Sequence, residues 1–528
     1  MSDELKYLGK LAAMGRLDRR AFLGRAAALG VTSTLAGTML ANAARAQGPV
    51  KGGVMRVGLG GGQSTDSFDP ALSSNEAPNA MMSFFGEKLF EVSPEGELVY
   101  RLAEDHGSSP DAQVWTFKIR KGVTFHNGKT VTPEDIMATM ERHSDESSKS
   151  GALGLMAGID RMRAEGDEFI VELKEPNADL PYVMADYHLV IQPNGGKDNP
   201  SEGIAAGPYR VAVENAGVRY VFEKYEDYWD DERGHVDQIE ALVINDDSAR
   251  VSAVQSGQVH MINRVPPRLA ARMESVPNVS VKSVPSRGHY VYVMHCDTAP
   301  FDNNDLRMAL KLAMNREELL EKVLFGHGTI GNDIPVNAAY PLFSGDIEQR
   351  EYDPEQAAHY YKKSGHEGPI TFRTSDVAFP GALDAAQLYQ QSAAQAGIQL
   401  DVVRSPGDGY WTEVWNKEPF CNSYWNGRPT QDMMYSTSYQ TGADWNETKF
   451  SDPEFDKLLA EARGELDVDK RTDMYRRLAM TIRDEGGVIC PMFSNFVDAI
   501  SDQVEGWHDD PNFPLMNALA PVKCWLKA

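Results

Sequence analysis

Cysteine is scarce in this chain: four occur among 528 residues, Cys296, Cys421, Cys490 and Cys524, and no two form a CxxC pair. Such wide spacing excludes a zinc knuckle or a thioredoxin-like redox motif and leaves structural thiols, free or joined in one of three full pairings. Long apolar runs are also missing. No stretch approaches the roughly 18 consecutive apolar residues of a membrane-spanning helix, which excludes an integral membrane protein. Positive charge is in deficit, 52 Lys+Arg against 77 Asp+Glu, for a formal charge of −25 that repels nucleic acid and anionic lipid over most of the surface. Catalytic signatures are absent as well. There is no Gly-x-Ser-x-Gly elbow and no His-Glu-x-x-His, and the 12 histidines are scattered singly. Neither an exported hydrolase nor a resident metal or other cofactor is therefore expected.

Two glycine-rich stretches imitate phosphate-binding loops and fail on detail. Gly58-Leu59-Gly60-Gly61-Gly62-Gln63 ends in Gln where a dinucleotide fingerprint needs a small residue, and it runs into an Asp/Ser/Pro loop where a helix should start. In Gly122 to Gly128-Lys129-Thr130 the spacing between glycines is one residue too long for a P-loop, and Asn127-Gly128 is hairpin chemistry.

What is present is ordinary globular material, 42% hydrophobic and 24% charged, in a chain long enough for two or three domains. The first 46 residues read differently. Asp18-Arg19-Arg20-Ala21-Phe22-Leu23-Gly24 precedes a charge-free run from Ala26 to Ala44 and then Ala44-Arg45-Ala46, a small-x-small cleavage site. This resembles a twin-arginine export signal cleaved after Ala46. The following residue is Gln47, with no cysteine to carry a lipid, so a soluble product is expected in the periplasm.

Downstream, strands and helices alternate. Val54 to Leu59, Val114 to Arg120, Val123 to Phe125, Val218 to Phe222, His289 to Met294 and Ile398 to Val403 carry strand patterns. Thr132-Pro133-Glu134-Asp135 supplies an N-cap, a first-turn proline and first-turn acids, predicting a helix from Pro133 to about Arg142. Similar starts stand at Asp302 to Leu306, Asp353-Pro354-Glu355 and Asp452-Pro453-Glu454. The class is mixed α/β.

Taken in order, Phe68-Asp69-Pro70, Trp115 to Lys129, Thr132 to Ile136, Gly207-Pro208-Tyr209, Asp227-Tyr228-Trp229-Asp230, Pro300-Phe301 with Arg307-Met308-Ala309-Leu310, Tyr352 to Ala358 and Ser451 to Asp456 resemble the family 5 extracytoplasmic solute-binding proteins of ABC transporters, the peptide, oligopeptide and nickel-binding group. The resemblance implies a bilobal, hinged periplasmic binding protein with an extra domain inserted in the first lobe. Mapped here, residues 47–85, 200–290 and 485–528 form the first lobe, 86–199 the extra domain and 291–484 the second lobe. On this map Cys296 shares a lobe with Cys421, and Cys490 with Cys524. The implied partners are a small organic solute or peptide and an inner-membrane permease with its cytoplasmic ATPase; a monomer is expected, with no nucleic acid. A conventional di- or oligopeptide receptor is the alternative, followed by a metal-chelate or haem carrier.

One position departs from the family. Peptide-binding members carry Trp-x-Gly-Asp, whose acid pairs with the peptide ammonium; here the stretch is Trp425-Asn426-Gly427-Arg428, a reversal of charge. A guanidinium fork suits carboxylate or phosphate and repels an ammonium, so the ligand is expected to carry an anionic group. Alternatively Arg428 pairs with an acid such as Asp432 and only holds the loop, or Asp432 takes over the ammonium. Trp425 is either a platform in the cleft or a core aromatic. The resemblance adds Trp445, Asn446, His295 and Phe68, with Ser64 to Asp66, as further candidates to face the ligand.

Overall fold

A computed structural model describes residues 48–73, 75–407 and 410–527. The expected signal peptide and cleavage after Ala46 lie outside the described residues. No helix among those described is long and apolar enough to cross a membrane.

One mixed sheet runs through the molecule. Its strands lie in the order Leu400–Arg404, Ile370–Thr374, Phe420–Trp425, Val279–Met294, Val488–Ser501, Met261–Ile262, Val54–Leu59, Gln238–Val243, Arg219–Lys224 and Tyr209–Asn215, with Gly328–Ile330 also paired to Val488–Ser501. Val54–Leu59 pairs in parallel with Gln238–Val243 and Met261–Ile262, and its alternating side chains enter a core with Phe68, Phe84, Tyr220 and Val522. At the other end, Phe420–Trp425 pairs antiparallel with Val279–Met294, between cores built around Phe372 and Tyr389 on one side and Tyr435 and Leu478 on the other. These two ends are the lobes.

A separate four-stranded antiparallel sheet, Ala103–Ser108, Val114–Ile119, Glu168–Leu173 and Ile159–Glu165, shares a core with the helix Pro133–Ser144 through Trp115, Phe117, Ile136 and Phe169. The predicted helix start is built as its residues dictate. The Thr132 hydroxyl accepts from the Asp135 N–H at 3.3 Å while the Asp135 carboxylate accepts from the Thr132 N–H at 3.0 Å, closing a capping box. The helices Asn304–Leu312, Pro354–Ser364 and Pro453–Gly464 likewise begin after Asn303, Asp353 and Asp452. Val123 to Phe125 forms no ladder strand: a single bridge joins Thr124 to Thr130 around the Asn127-Gly128 turn. This unit is fastened to the first lobe by a buried ionic knot in which Arg233 grips Glu91 at 2.5 Å and Arg101 grips Asp230 at 2.8 Å.

The lobes are joined by the two longest strands of the sheet. Val279–Met294 and Val488–Ser501 pair from Val279↔Ser501 to Pro285↔Asn495, lose register, and resume at His289↔Phe493; a second, smaller shift follows between Tyr290 and Tyr292. At the first break three residues, Ser286, Arg287 and Gly288, stand opposite one, Ser494, and the Ser286 hydroxyl spans the gap to the Ser494 carbonyl at 2.7 Å. Such a bulge bends a ladder and re-aims a side chain. Along Val488–Ser501, Ile489, Cys490, Met492 and Phe493 pack in the cores around Phe372 and Tyr435, and Ile500 packs in the core with Phe68. The same placement corrects the grouping of cysteines: Cys490 lies in a second-lobe core and Cys524 in the first-lobe core, and all four thiols are free.

Candidate functional site

Between the lobes lies a cleft of about 1910 Å³. Gly61, Glu76 and Arg264 face it from one side, Tyr424 to Pro429 and Trp445 from the other, and the bulge residues Ser286 to Gly288 from its base. The glycine loop on the first side has its amides already occupied. The Gly60 N–H donates to Asn263 Oδ1 at 2.7 Å and the Gly61 N–H to Asn245 Oδ1 at 2.9 Å, so the loop makes no phosphate cradle.

On the second side the strand Phe420–Trp425 ends at Trp425, and the helix Gln431–Ser438 begins after its cap, Thr430. The turn between them needs glycine. Gly427 has φ +79, and a Cβ there would sit 2.4 Å from the Cβ of Arg287. Arg428 is consequently presented next to the bulge. Its backbone N–H donates to the Tyr340 hydroxyl at 3.0 Å and its Nη1 to the Gly427 carbonyl at 2.9 Å. Its guanidinium carbon lies 5.3 Å from the ring centre of Trp425 and 5.8 Å from that of Trp445, close enough for cation–π attraction to both. Among the described residues no carboxylate comes within ion-pair distance of it. Burial lowers its pKa, opposed by Tyr340, Tyr187 and Asp186.

Asp432 does not serve Arg428. Both its oxygens accept from Arg463 Nε at 3.0 Å, and burial, only partly offset by that arginine, raises its carboxyl above the usual range. The alternative in which Arg428 pairs with Asp432 is not formed: Asp432 pairs with Arg463 instead. Trp425 is both things at once, since it is 5% exposed in a core and still contributes to the cleft wall. Its indole N–H donates to Glu447 Oε1 at 2.7 Å, and the other Glu447 oxygen accepts from the Trp415 indole. Trp445 is exposed on the wall, its ring centre 5.9 Å from that of Trp425.

Trp425, Gly427, Arg428, Trp445 and Asp432 are therefore brought to one cavity, whereas Phe68, His295 and Asn446 are not. Phe68 is packed edge-on against Phe85, Tyr220 and Phe222 in the first-lobe core. His295 is buried behind the wall, its backbone N–H donating to the Pro419 carbonyl at 3.0 Å. Asn446 turns inward and ties its own loop, its amide donating to the Phe450 carbonyl at 2.7 Å. Asp66 accepts from the Gln63 N–H at 2.7 Å and stays in its loop. Sequence reasoning missed Glu447 and Arg287. The first was signalled only by an acid following Trp445-Asn446, the second by a glycine and a proline inside a strand-like run.

A two-lobed receptor that holds a solute between sheet-based lobes is the class this fold and cleft define. The family model of the bacterial extracellular solute-binding proteins, family 5, matches residues 97–447, more than half of the chain, and the chain belongs to that family. It is 24% identical over 472 residues to the glutathione-binding protein GsiB of Pectobacterium atrosepticum, a match covering 85% of this chain and 91% of that one. Among solved structures it resembles the ABC transporter substrate-binding protein CtaP of Listeria monocytogenes, with TM-score 0.80, 18% identity and coverage of 90% of this chain and 100% of that one. It also resembles the periplasmic binding protein DppA of Helicobacter pylori in complex with the peptide STSA, with TM-score 0.73, 20% identity and coverage of 91% and 99%.

Proposed function

We propose that this chain is the periplasmic receptor of an ABC importer, binding an organic solute through an anionic group at Arg428 and handing it to the membrane permease without altering it. On this reading residues 1–46 are a twin-arginine signal and residues 86–199 an inserted domain that widens the cleft. The lobes close about the Ser286 to Gly288 bulge, the wider of the two breaks in register between the connecting strands. The observation that carries the ligand class is the Arg428 guanidinium, backed by two indoles, facing the cleft with no carboxylate partner among the described residues. A half-buried guanidinium without a counter-charge has given up part of its water with no charge in return, and an anionic ligand supplies that charge. Glutathione, named for the GsiB relative, has the required acids. An ammonium-reading peptide site at Asp432 would first have to break the Asp432–Arg463 pair.

The test is calorimetry with the solute retained through purification and identified by mass spectrometry. Arg428→Ala is expected to weaken binding by about 2–5 kcal/mol, roughly thirty- to several-thousand-fold, with Arg428→Lys recovering part. The wild-type protein should compact on saturation in X-ray scattering. Undiminished affinity in Arg428→Ala, or turnover of the solute, would contradict the proposal.

A further inference from the structure

We infer that Arg287 is a second anion anchor, so that the solute held in the cleft carries two acidic groups, one read by Arg428 and one by Arg287; this rests on the solute-receptor reading above. Arg287 is the middle residue of the three-residue bulge, which turns it out of the ladder to the base of the cleft. It is 7% exposed, yet among the described residues no carboxylate lies within ion-pair distance. Its partners are all neutral. Nε donates to the Ala339 carbonyl at 2.9 Å, Nη2 donates to Asn512 Oδ1 at 2.8 Å, and the guanidinium carbon lies 5.2 Å from the Tyr340 ring centre. The acid in its neighbourhood, Asp510, is occupied in accepting from the Asn512 backbone N–H at 2.9 Å and side-chain amide at 2.8 Å.

Other buried arginines of this protein are treated differently. Arg233, Arg316 and Arg471 each have a carboxylate at 2.5–2.8 Å. Arg307, away from the cleft, donates instead to two carbonyls at 2.6 Å, those of Phe301 and of Glu485, the last residue of the helix Val468–Glu485, where the helix dipole favours a cation. Arg287 and Arg428 have neither a carboxylate nor a helix end, and both face the cleft. They share Tyr340 and flank the same glycine, Gly427. A guanidinium stays charged at any physiological pH, so this charge cannot be relieved by losing a proton. Two donors of Arg287 are used by Ala339 and Asn512, leaving three of its five N–H groups for a ligand oxyanion. One carboxylate can accept from two arginines, as Asp333 does from Arg316 and Arg350, but the donors left on Arg287 and on Arg428 offer a solute with two acids a separate fork for each.

Asn512 gives the second anchor a further consequence. Its amide also donates to the Val92 and Ser93 carbonyls, at 3.2 and 3.0 Å, so the residue that holds Arg287 ties the bulge to the start of the stretch 86–199. An acid bound at Arg287 therefore acts at the hinge itself.

The experiment incubates the full chain with a bacterial metabolite extract, identifies what is retained by native mass spectrometry, and repeats binding with reduced glutathione and the straight-chain diacids glutarate to suberate. The expected solute has two acidic groups, and Arg287→Gln and Arg428→Gln each weaken it thirty-fold or more. Of its two half-esters, one should bind wild type and Arg287→Gln alike, the other wild type and Arg428→Gln alike. Arg287→Lys, which retains the charge, should recover part of the affinity and guards against simple misfolding, checked by ligand-free melting. A retained solute with a single acid, weakened only by Arg428→Gln, overturns the second anchor and leaves the receptor reading intact. A solute that neither variant weakens overturns both. No retained solute, together with no melting shift from glutathione or any diacid, overturns the second anchor as well.

Discussion

Glu447 is fully buried between two indole N–H groups, those of Trp425 and Trp415, and among the described residues no cation is within ion-pair distance. Burial raises its carboxyl above the usual range, although both indoles and Ser423 pull it back by donating to it. Its role is to fix the plane of Trp425, on which Arg428 rests. Glu447→Ala would leave the buried Trp425 donor unpaired at about 1–3 kcal/mol and strip the half-buried Trp415 donor of its partner, so the melting temperature should fall by several degrees and tryptophan emission should change. Glu447→Gln, with one carbonyl oxygen to offer, should recover about half; a melting temperature unchanged in the alanine variant would contradict the assignment. At this scale the sequence was legible where a site is contiguous. Trp425, Gly427 and Arg428 stand in one turn and could be read against a family motif. Phe68, His295 and Asn446 could not be placed, because whether an aromatic, imidazole or amide faces ligand or core depends on strands distant in the chain. Arg287 was hidden for the same reason: its meaning comes from an irregular pairing with Ser494, far away in the sequence.

Local elements were the most legible part of the fold wherever Thr, Asn or Asp could cap and Pro could open a helix, as at Thr132, Asp353 and Asp452. The least legible element is the turn Leu515 to Ala518, whose four residues have φ between 56 and 60 and contain no glycine. Its N–H groups bond in left-handed helical fashion, Ala518 donating to the Pro514 carbonyl at 2.9 Å, a conformation that costs roughly 1–2 kcal/mol per residue and leaves no trace in composition. Asp498, on the connecting strand Val488–Ser501, holds it by accepting from the Leu515 N–H at 2.6 Å. Burial pushes that carboxyl up to about 8, the Leu515 N–H opposing. A folded-state pKa raised above the ordinary 3.8 means the folded form binds the proton more tightly. Its contribution to stability is therefore complete below the ordinary pKa and is lost as pH rises through about 8. Asp498→Asn keeps a carbonyl oxygen for Leu515 and removes the proton. The difference in melting temperature between wild type and this variant should shift steadily against wild type from about pH 4 to about pH 8; parallel profiles would show that no proton is held there.

The whole molecule is organised around a sheet that both lobes share, and the alternation of strands and helices announced its class but not its continuity. Short segments reveal propensity, whereas strand order depends on which distant edges meet, and here the central strand comes almost last. Val488–Ser501 separates Met261–Ile262 from Val279–Met294 and also carries Gly328–Ile330. Until it is added, the edges it will join are open and the cleft has no base. Synthesis on the ribosome therefore delivers nearly the entire polypeptide before the shared sheet can be completed, and the lobes are expected to gain their full protection only after that. Stalled nascent chains ending before residue 488 should remain sensitive to protease along both lobes, and resistance should arise together in both once residues 488–527 have emerged. Stable lobes in the shorter chains would contradict this order. On the twin-arginine reading proposed above, export waits for a folded protein and so leaves the time this order demands: the last-made strand of the sheet is the one about which the two halves of the solute's cage must turn.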